Sequence, residues 1–149
     1  MTAATTRHLF ILTGASRGMG HAMAGQLLAP GHTVLTLARR PDEALASRAA
    51  AAGATLTQWS ADLADAAPVA ARLADWLAAH DGAAFASSAL INNAGVIPAI
   101  VPLRDAAPAD LANALRVGLE APMQLTAAFL HATRAWPGVR KVLNISSGL

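Results

Sequence analysis

The amino-acid sequence predicts an α/β domain whose strands run parallel in one doubly wound sheet. Three observations carry that prediction. Short apolar runs alternate with helix-like segments along the chain, and a glycine-rich turn follows the first run directly. Hydrophobic residues make up 54% of the 149 positions and charged residues 13%, enough for one sizeable core and too little chain for two. Alternating strands and helices imply βαβ units with right-handed crossovers.

Each element follows from its local pattern. His8 to Thr13 is a compact apolar run ending at Gly14, as in a strand buried on both faces. Arg17 to Ala29 is helical and is closed by Pro30-Gly31. Thr33 to Leu37 is β-branched and strand-like. Pro41-Asp42-Glu43 opens the next helix, with proline suited to the first turn and two acids at its positive end; the alanine-rich stretch Ala44 to Ala54 continues it. Ala54 to Trp59 is the third strand. Asp65 to His80 is a helix with Val69, Leu73, Trp76 and Leu77 on one face. Ala89 to Asn92 is a short fourth strand, and Pro108 to about Trp136 reads as one long helix stopped by Pro137-Gly138. Lys141 to Ile145 is the fifth strand. The result is a Rossmann-type sheet of about five strands, with its ligand crevice at the strands' carboxyl ends. Residues 1–149 are taken as one dinucleotide-binding domain, incomplete at its C-terminus.

Composition excludes several classes. The chain has no cysteine, hence no disulfide framework, thiolate metal site or thiol nucleophile, and no metal site is expected. Net charge is only +2, and the arginines are scattered, which argues against a nucleic-acid-binding face. The longest uncharged stretch, Gly82 to Leu103, carries Ser87, Ser88, Asn92, Asn93, Gly95, Pro98 and Pro102 and is a poor membrane span. No apolar signal core stands at Met1 to His8, so a cytoplasmic location is expected.

The turn Thr13-Gly14-Ala15-Ser16-Arg17-Gly18-Met19-Gly20 lies between a strand and a helix. Glycines there permit a tight turn and close approach to a pyrophosphate, while the helix N-terminus offers free N–H groups and partial positive charge. The P-loop lysine is missing, which disfavours phosphoryl transfer. Strand two ends in Arg39-Arg40, where an NAD-binding domain would carry a carboxylate for the ribose 2′-hydroxyl. Two guanidiniums, with Arg17 as a third donor, suit a 2′-phosphate, so NADP is expected over NAD. The other reading of Arg39 and Arg40 is that of solvated loop charges. Asp42 and Glu43 either reach back to the ribose or cap the next helix.

Thr13-Gly14-x-x-x-Gly18-x-Gly20, Asp62-Leu63 after strand three, Asn92-Asn93-Ala94-Gly95 after strand four and Ile145-Ser146-Ser147 after strand five occur in register over essentially the whole chain. Together they resemble the classical short-chain dehydrogenase/reductase family. The resemblance implies hydride transfer between a nicotinamide and a carbonyl or alcohol carbon. It implies that Gly14, Ser16, Arg17, Gly18, Met19, Gly20, Arg39, Arg40, Asp62, Leu63, Asn93, Ala94, Gly95, Val117 and Ile145 border NADP, with Asp62 accepting from the adenine amino group. It makes Ser147 the catalytic serine that holds the substrate oxygen, with Ser146 as second choice. Read as residues alone, Asp62 also suits a turn cap, Asn93 a loop-backbone partner and Ser147 an ordinary loop cap.

Two departures stand out. Val117-Gly118-Leu119 occupies the place of the family's Val-Asn-Leu; the asparagine acts there through its main-chain carbonyl, which glycine retains while favouring a local kink. The family's Tyr-x-x-x-Lys pair would lie about a dozen residues beyond Ser147, the sequence stops two residues after that serine, and it contains no tyrosine. Without that proton donor, acid catalysis of about 10²–10⁴-fold is missing. The expectation is therefore the N-terminal part of an NADP-dependent oxidoreductase acting on a small carbonyl or alcohol, inactive by itself. The alternatives are a non-catalytic NADP(H)-binding module and an inactive remnant. A homo-oligomer is implied by the resemblance, through the helix bearing Leu119, Met123 and Phe129.

Overall fold

A computed structural model describes residues 6–147. The strands are β1 (His8–Thr13), β2 (Thr33–Ala38), β3 (Thr55–Ser60), β4 (Ser87–Asn92) and β5 (Val139–Asn144). They form one parallel sheet in the order β3-β2-β1-β4-β5. The chain winds outward from β1 through β2 to β3, then returns to the other side of β1 for β4 and β5. The direction of winding reverses between β1 and β4, and the crevice of a doubly wound sheet opens at such a point.

Helices cover both faces. Helices α1 (Gly18–Leu27) and α2 (Glu43–Ala52) enclose a small core of Leu12, Ala24, Leu45 and Ile91. Helix α3 (Ala66–Ala78) and the segment α4 (Pro108–Leu115) to α5 (Ala121–Ala132) enclose the larger core. Leu9, Ile11, Leu35, Leu90, Leu73, Leu77, Leu125 and Phe129 are among its fully buried members. The apolar strand runs are explained by this arrangement, because β1, β2 and β4 are covered on both sides.

The long helix expected over 108–136 is interrupted and shorter. Arg116–Glu120 forms a π-helical turn between α4 and α5, and α5 ends at Ala132. The wider turn contains Gly118, and the backbone accommodates the local change there. At the far end the Thr133 hydroxyl donates to the Phe129 carbonyl, which closes α5 one turn before Pro137. Phe129 faces the core rather than a partner, so it is removed from the expected subunit-facing set. Leu119 and Met123 remain exposed. Strand β5 runs Val139–Asn144 rather than 141–145, and Ile145 lies just beyond it, its amide donating to the Asn92 carbonyl.

Candidate nucleotide-binding site

Every residue singled out by motif, Val117 apart, lies at the carboxyl edge of the sheet, in the turn that follows a strand there or in the first turn of α1. The glycine turn follows β1, Arg39 and Arg40 follow β2, Asp62 and Leu63 follow β3, Asn93 to Gly95 follow β4, and Ser146 and Ser147 follow β5. Between β2 and β5 lie three strand spacings, about 14 Å, so the arginines and Ser147 stand well apart along that edge.

The first and fourth turns are clasped together by side chains. Thr13 is buried, and its hydroxyl oxygen accepts from the amides of Asn93 at 3.0 Å and Ala94 at 2.9 Å. In return the Asn93 side-chain amide donates to the carbonyls of Thr13 and Gly14 at 3.1 and 3.2 Å. Gly14 is in the left-handed region (φ +73°), and a Cβ there would stand 2.8 Å from the Ala94 Cα. A Cβ on Gly20 would collide with the Gly14 carbonyl. The two glycines are thus required by φ and by close approach, which leaves main chain rather than side chains along the turn.

Helix α1 starts from this turn with no side-chain cap and no acid in its first turn. Its free N–H groups and positive end are arranged to meet an anion. By contrast α2 is capped by Asp42, whose Oδ1 accepts from the amides of Ala44 and Leu45. Between the two helix starts lies a cleft of about 510 Å³ lined by Ser16, Arg17, Gly18, His21, Arg40, Pro41, Asp42 and Glu43. Arg17 and Arg40, both exposed, therefore share one cavity, whereas the equally exposed Arg39 does not line it, its carbonyl accepting from the Ser60 hydroxyl.

The remaining positions divide by burial. Ser16, Arg17, Gly18, Met19, Asp62, Gly95 and Ser147 are exposed; Gly14, Asn93, Ala94 and Ile145 are half-buried; Gly20, Leu63 and Val117 are buried. Asp62 Oδ1 accepts from the Ala64 amide, so one oxygen of the carboxylate closes its own turn. Val117 belongs to the larger core. Asn92 is buried; its amide donates to Thr126 and Asn144, while its Oδ1 meets no donor among the described residues.

Comparisons with known proteins identify the family. The family model described as short chain dehydrogenase matches residues 8–149. The chain belongs to the short-chain dehydrogenase family. It is 33% identical over 138 residues to a benzil reductase, (S)-benzoin forming, from Bacillus cereus; the match covers 93% of this chain and 55% of that protein. A short-chain dehydrogenase/reductase from Burkholderia vietnamiensis superimposes with a TM-score of 0.82 at 39% identity, covering 95% of this chain and 66% of the other. A metagenomic short-chain oxidoreductase in complex with NADP gives a TM-score of 0.80 at 34% identity, over 95% and 63% of the two chains. This short-chain dehydrogenase sequence spans little more than half the length of the Bacillus relative. Among its described residues no helix is long and apolar enough to cross a membrane.

Sequence reasoning passed over three features of this short-chain dehydrogenase site. The Thr13 hydroxyl clasp had one available signal, a threonine placed directly before the first glycine. The His21–Asp42 contact, with Nδ1 to Oδ2 at 3.0 Å, had none, because the residues are far apart in sequence. Gln58, which exchanges two 2.9 Å hydrogen bonds with the Asp42 main chain, had none either.

Proposed function

We propose that this chain is the cofactor-binding part of an NADP(H)-dependent oxidoreductase that acts on a carbonyl or alcohol carbon. NADPH supplies the hydride in such chemistry. The observation that carries the NADP(H) assignment is the shared cleft of Arg17 and Arg40, in which Asp42 is already engaged as a helix cap. Two guanidiniums bind a 2′-phosphate through charge-assisted hydrogen bonds. The uncapped start of α1 takes the pyrophosphate, with Gly14, Ser16, Gly18, Met19 and Gly20 giving close main-chain approach. The second oxygen of Asp62 receives the adenine amino group, and Asn93, Ala94 and Gly95 line the cofactor along the crevice. Ser147, exposed beyond β5, donates its hydroxyl hydrogen to the substrate oxygen and so holds the reacting carbon in place.

Support for an apolar carbonyl substrate comes from the loop after Gly95. Ile97 and Ile100, in the loop that follows β4, are exposed at 83% and 95%. Benzil, for which the Bacillus relative is named, is the first compound to assay. The exposed face formed by Leu115, Leu119 and Met123 supports self-association of the protein.

Paired titrations with NADPH and NADH test the assignment. Arg17→Ala and Arg40→Ala are each expected to weaken NADPH by about tenfold or more, leaving NADH within about twofold. Equal losses for both cofactors would remove the reason for choosing NADP(H).

A further inference from the structure

Asp42 occupies a position with two chemical uses. It lines the cleft shared by Arg17 and Arg40, where a carboxylate would accept a hydrogen bond from the free 2′-hydroxyl of an unphosphorylated ribose. Each oxygen of its carboxylate is nevertheless already engaged by a donor within the protein. Oδ1 accepts from the Ala44 amide at 2.9 Å and the Leu45 amide at 3.3 Å, and Oδ2 lies 3.0 Å from His21 Nδ1. An ionised carboxylate can only accept, so the proton of that contact is on His21 Nδ1. Behind it, Gln58 pins the main chain: the Asp42 amide donates to Oε1 and Nε2 donates to the Asp42 carbonyl, both at 2.9 Å. The residue can neither retreat along the chain nor turn its carboxylate without losing the helix cap.

We propose that His21 is a positioning residue for cofactor choice, holding Asp42 Oδ2 so that this carboxylate is turned to the imidazole rather than to a free ribose 2′-hydroxyl. The proposal rests on the NADP(H) reading above and deepens it. Selection against NADH is then achieved by occupying a carboxylate rather than by lacking one. It is discrimination by withholding a hydrogen bond from the wrong ligand, alongside the attraction of the two arginines for the right one. His21 also lines the cleft, so the same imidazole that engages Asp42 keeps that anion's charge from facing a bound phosphate alone. The pair is partly exposed, with side chains 39% and 23% accessible, and its contribution to folding is small. Its effect is read in cofactor choice, not in stability. Glu43, the other carboxylate of the cleft, is exposed and separates from Asp42 in the design of the test.

Dissociation constants for NADPH and NADH are to be measured on the purified protein and on His21→Ala, His21→Asn and the double variant His21→Ala/Asp42→Asn. Release of Oδ2 in His21→Ala is expected to tighten NADH by about tenfold while weakening NADPH. His21→Asn retains an N–H donor and is expected to restore the original ratio. In the double variant the gain for NADH is expected to vanish; a gain that persists would assign it to Glu43 and overturn the proposal. Unchanged NADH affinity in His21→Ala would overturn it too. Where His21→Ala loses helicity by circular dichroism, His21→Leu is read in its place under the same criteria. A preference of the unmodified protein for NADH would instead overturn the NADP(H) reading, a result visible before any variant is made.

Discussion

Thr13→Val isolates the clasp between the glycine turn and the turn after β4. The two side chains have nearly the same shape, so the change removes one hydroxyl and leaves the packing of β1 in place. Two main-chain donors, the amides of Asn93 and Ala94, then lose their common acceptor in a part-buried setting. At about 1–2 kcal/mol for each orphaned donor the cost is about 2–4 kcal/mol, a large share of the ~5–15 kcal/mol that holds a domain folded. For a chain of this length that corresponds to a fall in Tm of about 4–16 °C. Thermal unfolding followed by circular dichroism measures it, with Thr13→Ser as the control that keeps the oxygen. NADPH affinity is expected to fall with it, because the clasp sets the distance between Gly14 and Ala94. A Thr13→Val protein that melts within about 2 °C of the unmodified one would refute the assignment of this hydroxyl as the joint between the two turns.

Gly20→Ala places a methyl group against the Gly14 carbonyl and is expected to abolish measurable NADPH binding by isothermal titration while the fold is retained by circular dichroism. Gly118→Ala is expected to raise stability by about 0.5–1 kcal/mol in urea unfolding, since a Cβ there meets open space and glycine is the poorer helix former. Met123→Glu, on the exposed helix face, is expected to shift the protein toward monomer in light scattering; an unchanged assembly would move the interface elsewhere.

The fold was legible because apolar runs and breakers are local signals. His8 to Thr13 and the Pro30-Gly31 stop needed no tertiary information, and their observed bounds differ by only a residue or two. The π turn at Arg116–Glu120 was legible only as a kink at Gly118, because apolar periodicity does not distinguish a wider turn from a bent helix. Phe129 follows Met123 by six residues in α5, about 600° of turn, which places it on a different face of the helix and in the core beneath α3. The site positions were legible as motifs, and their division into cleft and rim was not. Arg39 and Arg40 are adjacent and chemically identical in sequence, yet only Arg40 lines the cleft with Arg17. Long-range contacts such as Asp42 with His21 and Gln58 depend on how β2, β3 and α1 converge, and no local pattern encodes that convergence.

The threonine–asparagine clasp also has a temporal meaning. Its two halves are separated by 80 positions, and three strand–helix units precede β4 in the chain. Closing contacts of such long range come late in folding. The glycine turn of a growing chain therefore exists for a time without the partner that gives it its shape. A dinucleotide has nothing complete to grip until β4 has docked. Once it binds, mass action favours the closed sheet over any form with β4 detached. Cofactor in the surrounding solution would act as a late quality check, holding only those molecules in which both halves have met.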